Sequence, residues 1–193
     1  MKTTFAKQIV SLLGLVMLFT NLSAQSDTNN ARKKMCDEVV KKSQYIFVGK
    51  PISSKCIKVT SGGIYTLVLM DVQKIISGFL KKGTVEIYKE GGTAGGETVL
   101  VTDDIQMPDG LALYFCIDAG NDAINSGVSN TNSKVVKIWD IVSISGNKIS
   151  GQGIGKYFSS LPELYNYLSV NYSINIAPSD VQPNTPADTT KQR

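Results

Sequence analysis

From Tyr45 to Asp118 the chain is one β-prone run after another, each cut by glycine or charge. The runs read YIFVGKPISSKCIKV, IYTLVLMDVQKIISGFLKKGTVEIYKE, TVLVT and LALYFCID, separated by SGG and GGTAGGE. β-Branched and aromatic residues suit a pleated, half-buried surface, and glycine supplies the backbone freedom of tight turns. A chain built this way folds by pairing neighbouring strands, and Gly62-Gly63 marks the first hairpin.

The individual runs sharpen this. Strand one is expected from about Tyr45 to Val59 and strand two from Ile64 to about Ile76. Both are long, and Gly49 or Pro51 is placed to bend the first so that the sheet curls. Thr84 to Lys89 alternates Val85 and Ile87 against Glu86 and Tyr88. Val99 and Val101 mark a further strand. Leu111, Leu113, Phe115 and Ile117 share one face of the next, which turns Tyr114 outward; Tyr88 likewise lies opposite its strand's apolar phase. Asp118 to Lys134 is polar and rich in Asn, Gly and Ser, an excursion loop. Val135 to Ser143 carries the single tryptophan, Trp139, and Gly146-Asn147 turns the chain into Lys148-Ile149-Ser150.

Helices bracket the strands. Met35, Val39 and Val40 sit at helical spacing, with acids early and lysines late, as the helix dipole favours. Ser160 is a cap, Pro162 fits the first turn, and Leu161, Leu164, Tyr165 and Leu168 line one face of a helix to Asn171. The fold class is therefore mainly β: an OB-like closed or partly open antiparallel barrel with a short N-terminal and a C-terminal helix. A β-sandwich is the competing layout.

The ends carry other signals. Lys2 and Lys7, then the apolar Ile9 to Phe19, then Ala24, form a secretory signal over residues 1–24. The apolar run is about half of the roughly 20 residues that a spanning helix needs, so no membrane span is expected. Residues 25–34 read as a flexible leader, 35–176 as the barrel domain, and 177–193, rich in Pro, Asp, Thr and Gln, as a disordered tail. Within that tail, Asp188-Thr189-Thr190 resembles a short O-glycosylation acceptor. Losing Lys2 and Lys7 takes the net charge from +4 to +2. That is too mild for nucleic acid or an anionic membrane. The clusters Arg32-Lys33-Lys34, Lys41-Lys42 and Lys81-Lys82 read as solvated faces.

The chemistry is sparse. The chain contains no histidine, which removes the commonest general base and most zinc sites. Three cysteines in an exported chain suggest one bridge and one buried thiol. Cys36 with Cys116 is preferred, with Cys56 as the alternative partner of Cys116. Gly91-Gly92-Thr93-Ala94-Gly95-Gly96 lacks the Lys-Ser/Thr of a phosphate loop and precedes a strand, so it reads as a flexible connection. Its glycines Gly91, Gly92, Gly95 and Gly96 would also admit close approach by a ligand. Tyr88 and Tyr114, with Tyr45, Tyr65 and Trp139, are candidates for an aromatic platform. Asp103, Asp104 and Asp109, or Asp118, Asn121 and Asp122, offer oxygens but match no spaced calcium loop. Paired carboxylates for a hydrolase could come from Asp103 and Glu97, though nothing in the sequence fixes their separation. No catalytic residue, metal or cofactor is assigned.

Phe47-Val48-Gly49-Lys50, Ile64-Tyr65-Thr66, Val72 to Ile76, Lys82-Gly83, Gly91 to Gly96 and Gly110 to Phe115 follow one another in a recognisable order. That order resembles the netrin-like modules, an OB-fold group that includes tissue inhibitors of metalloproteinases, over roughly residues 36–118. The resemblance implies a barrel, with Cys36 in the place of a cysteine whose free amino group chelates a protease zinc. The expected cleavage leaves Gln25 to Met35 ahead of Cys36, so that amino group is blocked. The expected role is a secreted, non-enzymatic binding or protein-interaction module whose partner is another secreted or cell-surface protein. Metalloprotease inhibition is the first alternative and carboxylate-dependent hydrolysis the second.

Overall fold

The computed structural model describes residues 27–81, 85–101, 105–125 and 134–176. The signal segment, the Lys82-Gly83 turn, Asp103-Asp104 and the tail from residue 177 lie outside the described residues. What is described falls into two compact units that divide between Glu38 and Val39. Helix α1 covers residues 27–42. It starts at 27, not 35, so residues 27–34 are helical and not a flexible leader. Ala31 to Met35 are good helix formers, and Arg32 reaches back one turn to Asn29 Oδ1 at 3.2 Å.

The barrel lies in the second unit. Strands β1 (Tyr45–Lys58) and β2 (Ile64–Ser77) form a long antiparallel hairpin. Its register slips between Ile46 and Phe47, Val48 and Gly49, and Pro51 and Ser53. These bulges curl β1 at the expected glycine and proline. β3 (Val85–Glu90) pairs with β2, and β6 (Ala112–Asp118) pairs with the first half of β1. β7 (Lys134–Ser145) follows β6 antiparallel and then pairs in parallel with β3 through Val85 to Ile87. That one parallel pair closes the ring β3-β2-β1-β6-β7-β3. β4 (Gly92–Ala94) and β5 (Glu97–Val99) form a separate small hairpin, and β8 (Lys148–Ser150) extends β7. In place of part of the expected loop, residues Gly120–Asn125 form the short helix α2.

Phe47, Val68, Met70, Val72, Val85, Ile87, Ala112, Tyr114, Cys116 and Val136 pack together as one buried cluster. Tyr114 stacks on Phe47 with ring centroids 5.2 Å apart. The phase expected for β6 is thus reversed: Ala112, Tyr114 and Cys116 belong to this cluster. Leu113 and Phe115, on the other face, are also buried. β6 lies between β1 and β7, and a strand buried on both faces loses the alternation that phase reading depends on. Each buried Val, Ile, Leu, Met or Phe side chain among these contributes about 1.5–3 kcal/mol of transfer free energy. A second cluster joins Leu67, Tyr88, Ala119, Ala123 and Val135. Tyr88 is buried there and stacks on Tyr65 at 5.4 Å. Neither Tyr88 nor Tyr114 faces solvent, so the aromatic platform does not form.

Helix α3 (Leu161–Tyr172) starts as its sequence dictates. Ser160 Oγ accepts from Glu163 N, while Glu163 Oε2 accepts from Ser159 N at 2.9 Å. These bonds satisfy donors that a helix start otherwise leaves open. Its Leu161, Leu164, Tyr165 and Leu168 are buried. Between β8 and α3 runs a 3-10 turn, Ile154–Tyr157, held by the buried Asp140. Asp140 accepts from Ile154 N at 2.7 Å and Ile141 N at 2.8 Å. Gly153 is required beside it, because a Cβ there would collide with the Asp140 carboxylate.

No disulfide is present: Cys36, Cys56 and Cys116 are all thiols. Cys116 stands opposite Tyr45, and Cys56 lies far along β1 on the exposed hairpin. On the order of 30 Å of strand separates them, where a bridge needs Cα atoms within about 7 Å. Among the described residues no helix is long and apolar enough to cross a membrane.

Candidate binding cleft

The glycine run folds into an ordered hairpin and not a flexible connection. Gly95 (φ 60°) and Gly96 (φ 81°) form its two-residue tip, both left-handed. That is the geometry a tight β-hairpin demands and glycine grants at no steric cost. Thr93 and Thr98 bond across it at 2.9 Å, and Lys58 forms an ion pair with Glu97. At the base of the hairpin, Thr66 Oγ1 donates to Gly91 O at 2.8 Å and lies 3.2 Å from Cys56 Sγ. A Cβ on Gly92 would stand 2.5 Å from Thr66 Oγ1 and 2.8 Å from Cys56 Sγ. The backbone of the hairpin therefore rests directly on β1 and β2, and only glycine lets it.

Beneath the hairpin opens a cleft of about 470 Å³. It is lined by Pro51 and Ser54 of β1, Thr66 and Val68 of β2, Gly91, Gly92, Thr93 and Thr98 of the hairpin, and the apolar Val99, Leu100 and Val101. Lys89, Glu90, Gln106, Met107 and Asp109 complete it. Lys89 Nζ donates to Ile105 O at 3.3 Å, and Glu90 is 3.5 Å from Lys137 Nζ. Such a surface offers hydroxyls, main-chain groups and aliphatic side chains, the makings of hydrogen-bonded recognition around an apolar anchor.

Of the expected ligand-facing residues, Gly91 and Gly92 line this cleft and Gly95 and Gly96 shape its hairpin. Sequence reasoning missed Ser54 and Thr66, which the pairing of β1 with β2 sets side by side, and Met107, which the segment ahead of β6 carries in. Asp109 sits in the cleft, and its proposed companions Asp103 and Asp104 are outside the described residues. Glu97 is committed to Lys58.

A smaller cleft of about 190 Å³ opens between Tyr88 to Glu90, Val101, Ile105, Lys137 and Ile138. Lys137 Nζ bridges Asp122 at 2.8 Å and Glu90 at 3.5 Å and lies 5.1 Å from the Tyr88 ring centroid. Burial pulls its pKa down, but Asp122, Glu90 and Tyr88 outweigh that, and the ammonium is held above its ordinary value.

The other acidic cluster is spoken for. Asp118 bonds Lys134, Gly120 N at 2.8 Å and Tyr45 Oη at 3.3 Å. Burial tends to raise its carboxyl, yet Lys134, Gly120 N–H and Tyr45 together hold it below the usual range. Asp118 and Asp122 thus each face a lysine, and Asn121 stands between them on α2. Among the described residues no three cysteines or carboxylates converge as a metal site.

No protein-family model, no curated protein and no solved structure matches this chain.

Proposed function

We propose that this protein is an exported, non-enzymatic binding module. It takes an extended segment of another secreted or cell-surface protein into the cleft under the β4–β5 hairpin. The observation that carries this reading is the composition of the cleft. The hydroxyl of Ser54, and the remaining lone pairs of Thr66, Thr93 and Thr98 beside their bonds within the hairpin base, offer directional bonds. Val99 to Val101 offer an apolar surface beside them. OB-like barrels hold ligands over their second and third strands, which here supply Thr66, Val68, Lys89 and Glu90. That parallel is one of fold alone. The absence of histidine weighs against acid–base catalysis. The inhibitory alternative asks for a free amino group at Cys36, which sits inside α1, so it is the weaker reading.

The test is retention of proteins from surface and culture-medium extracts on immobilised protein, beside a Ser54→Trp variant. Ser54 is exposed, so the bulky ring fills the cleft without entering the core. The reading expects a protein held by the parent and lost from the variant. Equal retention by both, or none by either, contradicts it.

A further inference from the structure

Charge is unevenly spread along this chain. The whole sequence is basic, at +4, yet residues 90–133 hold seven of its sixteen acids and no lysine or arginine. A block of one sign draws its counter-charges from elsewhere, either in the fold or on a partner.

Three of those acids are answered within the fold. Glu97 pairs with Lys58, Asp118 with Lys134, and Asp122 with Lys137 at 2.8 Å. Asp103 and Asp104 lie outside the described residues. The two that remain, Glu90 and Asp109, both line the cleft under the β4–β5 hairpin. Glu90 is exposed and meets only Lys137, at 3.5 Å, whose ammonium sits closer to Asp122. Asp109 is exposed, and among the described residues no hydrogen bond or ion pair holds it. The single cation lining the cleft, Lys89, donates to Ile105 O at 3.3 Å.

Unanswered carboxylates beside aliphatic side chains focus a negative field into a cleft. Among the described residues no three metal-ligating groups converge, so the cation that suits this cleft is a side chain. We infer that the segment taken into the cleft is basic: its lysine or arginine side chains meet Glu90 and Asp109, while an apolar neighbour rests on Val99 to Val101. This specificity rests on the binding role proposed for the cleft and adds the chemistry of the occupant.

Phage-displayed random octapeptides, selected on the immobilised protein and counter-selected on Ser54→Trp, test it. Lysine or arginine should be enriched among the peptides that the parent holds and the variant releases. A synthetic copy of a selected peptide should bind about two- to fivefold more weakly to Asp109→Asn and to Glu90→Gln, and more weakly to the parent as salt rises. Asp109 holds no bond among the described residues, so its substitution leaves the barrel intact, and Asp109→Lys should shift the selection toward glutamate and aspartate. Peptides that need the cleft but show no basic preference, or that bind Asp109→Asn and Glu90→Gln as they bind the parent, overturn the specificity and leave the binding role standing. A selection that yields no peptide sensitive to Ser54→Trp overturns both.

Discussion

The hydroxyl of Thr66 holds the carbonyl of Gly91 at 2.8 Å, and that bond fastens the β4–β5 hairpin to the barrel. It joins β2 to a residue twenty-five positions away, at the point where the chain leaves β3. The cleft exists because the hairpin is held over the strands at this point.

Gly92 beside it is expected to be intolerant of any side chain. Its φ of 126° is strained for other residues, and a Cβ meets Thr66 and Cys56. Gly92→Ala should cost about 1–3 kcal/mol, and Thr66→Val about 1 kcal/mol. Chemical denaturation measures the loss. Faster amide exchange at Thr93 and Thr98 in either variant would place it in the hairpin.

Tyr114 is fully buried, and its hydroxyl has no hydrogen-bond partner. Burial, and then the neighbouring Cys116, push its pKa upward. An unsatisfied buried hydroxyl costs about 1–3 kcal/mol, while the ring is needed for its stack on Phe47. Tyr114→Phe keeps the ring and removes the hydroxyl. The variant should unfold at equal or higher denaturant, and Tyr114→Ala should lose about 3–5 kcal/mol.

Two carboxylates should titrate on opposite sides of the ordinary value of 3.8. Burial raises Asp140 despite the pull of Ile154 N–H, Ile141 N–H and Lys156. Burial tends to raise Asp118 too, but Lys134, Gly120 N–H and Tyr45 together hold it lower. The linkage signs follow. The stability that Asp118 contributes is present above its unfolded value and lost as pH falls through its lowered folded one. For Asp140 stability declines as pH rises from the unfolded value through the raised folded one. Carboxyl chemical shifts followed from pH 2 to 7 check the order.

The fold was legible where local signals agreed. The β1–β2 hairpin, its bends at Gly49 and Pro51, and the Ser160 cap of α3 stand where the residues place them. Long β-branched runs and caps act within a few positions. The phase of β6 was hidden because Leu113 and Tyr114 are both buried, so no polar face marks the outside. The parallel pairing of Val85 to Ile87 with β7 joins residues about fifty positions apart, and no local pattern encodes it. The site divides in the same way. Gly91, Gly92, Gly95 and Gly96 were visible as glycines that admit a close approach, but the run read as a flexible connection and its hairpin was not seen. Ser54 and Thr66 are ordinary strand residues until pairing sets them under the hairpin.

The thiols offer a direct check on the missing bridge. Cys116 is buried, and burial pushes its thiol pKa far up; Cys56 is exposed. Alkylation of the native protein should modify Cys56 first, and Cys36 and Cys116 only after denaturation. Mass spectrometry should find no two-dalton difference between reduced and unreduced protein.

The central claim is that a partner occupies the cleft, and amide chemical-shift mapping with the retained partner tests it most directly. The largest shifts are expected at Ser54, Thr66, Gly91, Gly92 and Val101, and Ser54→Trp should abolish them. Shifts that leave these residues unmoved and gather instead around Asp118 to Asp122, or along α3, would contradict it.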